Sequence, residues 1–212
     1  MTRLVYLHGF ASSPYSRKAS FLREKLAPFG IDLETPELEE RDFKHLTLTR
    51  QLTVVERAVG NAPVHIIGSS MGGYLAALYA ASHPSVARLV LLAPAFNFYA
   101  RWIESLGSEK MSEWQANGEL AVYHYAEDRE VPIGYQLMED ARQYEAFPRF
   151  SQPTLIFHGI QDNVVPVQYS EQVARTCQNV KLVTLISGHE LTDVLGTIWN
   201  DCKDFLLQTV GE

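Results

Sequence analysis

Short apolar runs and longer stretches with helical spacing take turns along most of this 212-residue chain. The runs Arg3–Leu7, Asp32–Thr35, Val64–Ile67, Ala87–Ala93, Pro153–Phe157 and Lys181–Ile186 are rich in Val, Ile and Leu. Gly, Pro, Asn or Asp bounds most of them, which predicts strands. Helices are expected between them: Pro14 to Ala27, Leu48 to Val59, an elbow helix through Tyr74–Ala81, Val167 to Cys177 and Leu191 to Leu207. Their stops are Pro28 and Gly30, Gly60-Asn61, and His83-Pro84. Such alternation predicts an α/β fold, a mostly parallel sheet of about six strands flanked by helices. The length suits one domain over residues 1–212.

One segment, Phe96 to Pro148, departs from the alternation. It mixes aromatics, among them Tyr99, Trp102 and Trp114, with Glu104, Glu109, Lys110, Glu113 and Glu130. Short amphipathic helices lying across the strand ends are expected there, forming a small helical cap. Tyr99, Trp102 and Trp114 are its candidate substrate-pocket residues. The plainer alternative is a lateral excursion whose aromatics pack on the sheet. Arg101, Arg129, Arg142 and Arg149 are read as surface cations, with contact to a substrate carboxylate or phosphate as the alternative.

Composition narrows the class. Apolar residues make up 46% and charged residues 20%, ordinary for a globular protein. A formal charge of −7 without a basic stripe argues against nucleic acid as partner. Cys177 and Cys202 make no disulfide framework and suit a reducing, cytoplasmic setting. Neither a secretory signal nor a run long enough to span a membrane is visible.

The chemistry concentrates at the ends of the expected strands. Gly68-Ser69-Ser70-Met71-Gly72 follows Val64–Ile67 and precedes a helix-prone stretch. In a G-x-S-x-G turn the apex serine takes a strained, positive-φ conformation. The residues two before and two after it must then lack a side chain. Ser70 is the candidate nucleophile and Ser69 is not; the alternative is an inert Gly/Ser-rich turn. A serine hydroxyl needs a base, and the base an orienting acid. His189 follows Lys181–Ile186 through the small pair Ser187-Gly188 and is the candidate base. Asp162 follows Pro153–Phe157 and is the candidate acid, with an Asx-turn role as the alternative. Glu190 and Asp193 lie close to His189 in sequence and are second choices. His8 and His158, each before a glycine, are read as structural.

These features, in the order Ser, Asp, His, resemble those of the α/β-hydrolase superfamily. The resemblance covers nearly the whole chain apart from roughly Phe96 to Pro148. Leu7-His8-Gly9-Phe10-Ala11-Ser12-Ser13-Pro14, with Gly68 to Tyr74, resembles the small bacterial YqiA-type esterases. Gly159-Ile160-Gln161-Asp162-Asn163-Val164-Val165-Pro166 and the aromatic-rich segment resemble small capped depalmitoylase-like thioesterases. The resemblance implies an oxyanion hole from the backbone N–H groups of Phe10 and Met71. It also implies strand order 2-1-3-4-5-6, a trimmed form of the full hydrolase sheet. The implied activity is hydrolysis of a small-molecule carboxylic ester or thioester through an acyl-enzyme on Ser70, with no metal or cofactor. A C–C bond hydrolase, a cofactor-free haloperoxidase, a peptidase and a non-turnover ligand-binding or sensor protein are the alternatives. Natural substrate, acyl length and oligomeric state are not legible.

Overall fold

A computed structural model describes residues 3–207, so the ends of the expected 1–212 domain, residues 1–2 and 208–212, lie outside the described residues. The core is a six-stranded parallel sheet. Its strands are β1 (Arg3–Leu7), β2 (Leu33–Glu34), β3 (Val64–Ser69), β4 (Val86–Leu92), β7 (Thr154–Gly159) and β8 (Val180–Leu185). They lie in the order β2-β1-β3-β4-β7-β8, which is the expected 2-1-3-4-5-6. The helices are α1 (Arg17–Leu26), α2 (Leu48–Val59), α3 (Met71–Ala80), α4 (Phe98–Asn117), α5 (Gln136–Ala141), α6 (Val167–Thr176) and α7 (Leu195–Leu207).

Strand periodicity explains the layering. Successive residues of β1 point to opposite faces. Val5 and Leu7 join the core that includes Val54, Val55, Leu75 and Val173 of α2, α3 and α6. Leu4 and Tyr6 join the opposite core with Leu22 of α1 and Ile198 and Trp199 of α7. All six residues of β3 are buried, as expected of a central parallel strand covered on both faces.

Two helix starts differ from expectation, each for a local reason. α1 begins at Arg17 because Ser16 caps it, its hydroxyl accepting from the Ala19 N–H at 3.4 Å. α7 begins at Leu195 and not at Leu191, because Leu191 sits at φ 55°, outside helical space.

The segment 96–148 corrects the expectation of short helices. It opens with the 20-residue α4, kinked at Gly107 (φ 76°, ψ 166°). An antiparallel hairpin follows, β5 (Glu119–His124) with β6 (Arg129–Gly134), and then the short α5. The hairpin is amphipathic with period two: Leu120, Val122 and His124 turn inward, as do Val131 and Ile133. Pro132 is tolerated because β6 pairs with β5 alone. The hairpin end docks on the core, where the Tyr125 N–H donates to Ala11 O at 2.9 Å. No described helix is long and apolar enough to cross a membrane.

Candidate active site

Ser70 stands between β3 and α3 at φ 52°, ψ −117°. Its N–H donates to Leu92 O at 2.8 Å, and its carbonyl accepts from Gly73, Tyr74 and Ala95. These bonds hold a conformation that costs an L-residue about 1–3 kcal/mol. The flanking glycines are required by space. A Cβ on Gly68 would lie 2.4 Å from Gly72 O, and one on Gly72 would lie 2.2 Å from Leu7 O.

The strand ends bring the three expected residues together. His189 Nε2 lies 2.9 Å from Ser70 Oγ, and His189 Nδ1 lies 2.7 Å from Asp162 Oδ2. An acceptor at Nδ1 puts the proton there and leaves Nε2 free to accept from the serine O–H. The Asp162 side chain is fully buried. Its Oδ1 accepts the Val164 and Val165 N–H groups, both at 2.8 Å. Burial pushes the Asp162 carboxyl upward. Hydrogen bonds from His158 and His189, the charge of His189 and the Val165 N–H outweigh it, and the carboxyl ends far below the usual range. Asp162 is therefore an anion at neutral pH.

The second-choice acids are committed elsewhere. Asp193 Oδ1 accepts from Ser187 Oγ at 2.5 Å, and Glu190 pairs with Lys18 at 3.2 Å. His8 is the loop brace expected of it. Its Nδ1 donates to Gly9 O at 2.9 Å and its Nε2 accepts the Leu38 N–H at 3.2 Å. Burial lowers its pKa, which keeps it neutral.

His158 does more than brace a loop. It is completely buried, with Nε2 lying 3.1 Å from Asp162 Oδ2 and 2.9 Å from Val165 O. Two acceptors at Nε2 place the proton there, so Ser170 O–H donates to Nδ1 at 2.7 Å. Asp162 thus receives four donors, two of them imidazoles. The sequence signal for this was the i, i+4 spacing of His158 and Asp162 across a tight turn.

The Phe10 and Met71 N–H groups, expected to face an oxyanion, donate to no protein group among the described residues. Phe10 is held by ring contacts to Phe43 at 5.2 Å and Trp102 at 5.4 Å. Two cavities meet at Ser70. One, of about 370 Å³, is walled mainly by Phe10, Met71, Phe96, Phe98 and Trp102, with Arg101 among its polar lining. The other, of about 590 Å³, includes His189 and a row of hydroxyl side chains. Of the three expected pocket residues, Trp102 lines the first cavity and the other two do not. Trp114 lies behind Trp102, fully buried, its Nε1–H donating to Ile133 O at 3.0 Å. Tyr99 packs against the core without reaching either cavity. A 20-residue helix presents only one face to the site, and sequence alone did not fix which. No cluster of His, Cys, Asp and Glu among the described residues has the arrangement of a metal site.

Comparison with known proteins agrees with this fold. Residues 3–206 match the family described as "Uncharacterised protein family (UPF0227)". Monoacylglycerol lipase abhd6-B of Xenopus laevis is 26% identical over 172 residues, 77% of this chain and 49% of its own length. The chain thus spans about half the length of the curated relatives it matches. Among solved structures, Est1E from Butyrivibrio proteoclasticus with ferulic acid bound superposes with TM-score 0.82 at 23% identity, over 100% of this chain and 90% of that one. Monoacylglycerol lipase of Paleococcus ferrophilus gives TM-score 0.73 at 14% identity, over 97% and 95%. At these identities the likeness of structures speaks to the fold, that of the α/β-hydrolases.

Proposed function

This chain belongs to the UPF0227 family within the α/β-hydrolase superfamily, and we propose that it is a serine hydrolase of carboxylic esters or thioesters. The observation that carries this reading is the unbroken hydrogen-bonded line from Ser70 Oγ through His189 to the Asp162 anion. In the reaction, Ser70 Oγ bonds to the acyl carbon while its proton passes to His189 Nε2. Asp162 holds the imidazole and stabilises the imidazolium. The carbonyl oxygen becomes an oxyanion facing the Phe10 and Met71 N–H groups. Donors of this kind contribute about 3 kcal/mol each. The tetrahedral centre collapses, the bond to the leaving oxygen or sulfur breaks, and that atom takes the proton from His189. Water then cleaves the acyl-enzyme by the same steps in reverse order, restoring the Ser70 hydroxyl. No step requires a metal or organic cofactor. The segment 96–148 acts as a cap, its Trp102 walling the apolar side. The similarity to monoacylglycerol lipases supports an ester over an amide.

The test is turnover of a chromogenic acyl ester. Ser70→Ala is expected to lose about 10⁴-fold or more in kcat, and Ser69→Ala to stay active. Ser70→Ala retaining the parent rate would overturn the reading.

A further inference from the structure

Arg101, a surface cation by its sequence setting, instead lines the cavity at Ser70 that Met71, Phe96, Phe98 and Trp102 wall. It is the only charged side chain of that lining among the described residues, and 23% of it is exposed. Its Nη2 group donates to Val164 O, while Nε and Nη1 donate to no described residue. The Glu104 carboxylate stands 4.0 Å from Nη1, past hydrogen-bond reach, and at 60% exposure it is screened by solvent. Asp162, on the same loop as Val164, is taken up by its own four donors.

A mostly buried guanidinium with one neutral acceptor is under-compensated. Its planar fork offers two parallel N–H donors, the geometry that a carboxylate fills. Apolar walls make such a pair stronger than it is in water. Ser105 spends its O–H on Trp102 O at 3.1 Å and adds no donor, whereas the Asn163 amide borders the same cavity. The cavity is thus apolar in its body and cationic at one point.

Which half of the substrate meets that point follows from His189, resting on the acyl-enzyme reading. The general acid that protonates a leaving group stands on the leaving-group side. His189 lines only the other cavity, so the acyl half turns towards Arg101.

We propose that the acyl half of the substrate ends in a free carboxylate held by Arg101, so that the substrate is a half-ester or half-thioester of a dicarboxylic acid with an apolar middle.

The experiment compares kcat/KM at pH 7 for monoethyl succinate, adipate and suberate, each against the ethyl ester of the neutral acid of equal carbon count, read by released ethanol. At the length that reaches Arg101 the parent is expected to prefer the half-ester by about tenfold, the gain of a charged hydrogen bond. Arg101→Gln is expected to bring that ratio below one, because the cavity then desolvates a carboxylate without a cation. Arg101→Lys, which keeps the charge and loses the fork, should retain about threefold and keeps the test open should Arg101→Gln fail to melt like the parent. A parent that prefers the neutral ester at every length overturns the proposal and leaves the acyl-enzyme reading standing. So does Arg101→Gln slowing both members of a pair equally, the result of a strap between α4 and the acid loop and nothing more. Hexanoyl glycolate, with its anion on the alcohol, should show no gain that depends on Arg101; such a gain overturns the assignment of sides. No turnover on any ester while Ser70 still takes a fluorophosphonate adduct overturns the proposal alone. Absence of both turnover and adduct overturns the underlying reading with it.

Discussion

Two buried carboxylate–imidazole pairs in the molecule have nearly the same length. Asp162 meets His189 at 2.7 Å, and Glu39 meets His124 at 2.8 Å. What surrounds them differs. Both oxygens of Asp162 are saturated, by Val164 and Val165 on one and by His189 and His158 on the other. Glu39 Oε1 and His124 Nδ1, by contrast, have no partner among the described residues. Their carboxyls shift in opposite directions. Burial raises Glu39, and its bond to His124 offsets only part of that. For Asp162 the donors outweigh burial. A short contact alone does not depress a carboxyl; the number of donors on it, set against its burial, decides the direction. One pair is built to hold charge beside a nucleophile. The other clamps the hairpin strand β5 to the loop after β2, next to the His8-Gly9-Phe10 turn.

Removing the charge from the saturated pair should have the largest effect. Asp162→Asn keeps the volume but presents an amide donor where Nδ1–H needs an acceptor. It is expected to lower kcat by about 10⁴. Glu39→Gln, the matching change in the other pair, should leave turnover standing. Equal losses in the two variants on one chromogenic ester would erase the distinction between the pairs.

The clamp should instead show itself in stability. His124→Leu leaves Glu39 buried without its imidazole and is expected to cost about 3 kcal/mol in urea unfolding. Glu39→Leu with His124→Leu should recover most of that, because no buried polar group is then orphaned. A double variant as unstable as the single one would contradict the clamp as described.

A smaller effect separates His158 from ordinary core. His158→Leu removes one charged hydrogen bond from Asp162, and kcat/KM is expected to fall about tenfold. The Asp162 carboxylate also becomes more basic and holds the imidazolium proton harder, so the acid limb of the pH profile moves to higher pH. His158→Gln, which retains an N–H at the Nε2 position, should restore the limb. A uniform drop with an unmoved limb would mean that His158 only packs.

The weakest signature is the pH dependence of stability, where the pairs should have opposite signs. Asp162, lowered in the fold, contributes stability that is present above the ordinary aspartate range and lost as pH falls through it towards the depressed value. Glu39, raised in the fold, binds more protons folded than unfolded, so its contribution falls as pH rises from the ordinary glutamate range through its raised value. One such group changes stability by at most about 1.4 kcal/mol per pH unit. Glu39→Gln should remove the falling slope, as measured by urea midpoints across pH 4 to 7.

Legibility in the sequence divided along the same line. The sheet order came from the family resemblance, and the approach of Ser70, Asp162 and His189 followed from strand ends, because a parallel sheet carries its loops to one edge whatever the side chains do. The clamp was not legible. Glu39 and His124 are 85 residues apart, and nothing local in the sequence joins a loop after β2 to a hairpin. The hairpin itself left a period-two trace in Leu120, Val122 and His124, masked by the charged turn after it and the aromatics around it. Trp114 and Tyr99 do not line the two cavities that meet at Ser70, because aromatic content identifies a helix with much to bury but not the face that it turns to the site.

The central claim is an activated Ser70 beside a donor-saturated Asp162. Intact-mass spectrometry after fluorophosphonate treatment tests it most directly, on the parent, Ser70→Ala and Asp162→Asn. One adduct on the parent, none on Ser70→Ala and strongly slowed labelling of Asp162→Asn is the predicted result. A folded parent that takes no adduct, or an adduct that survives Ser70→Ala, would contradict it.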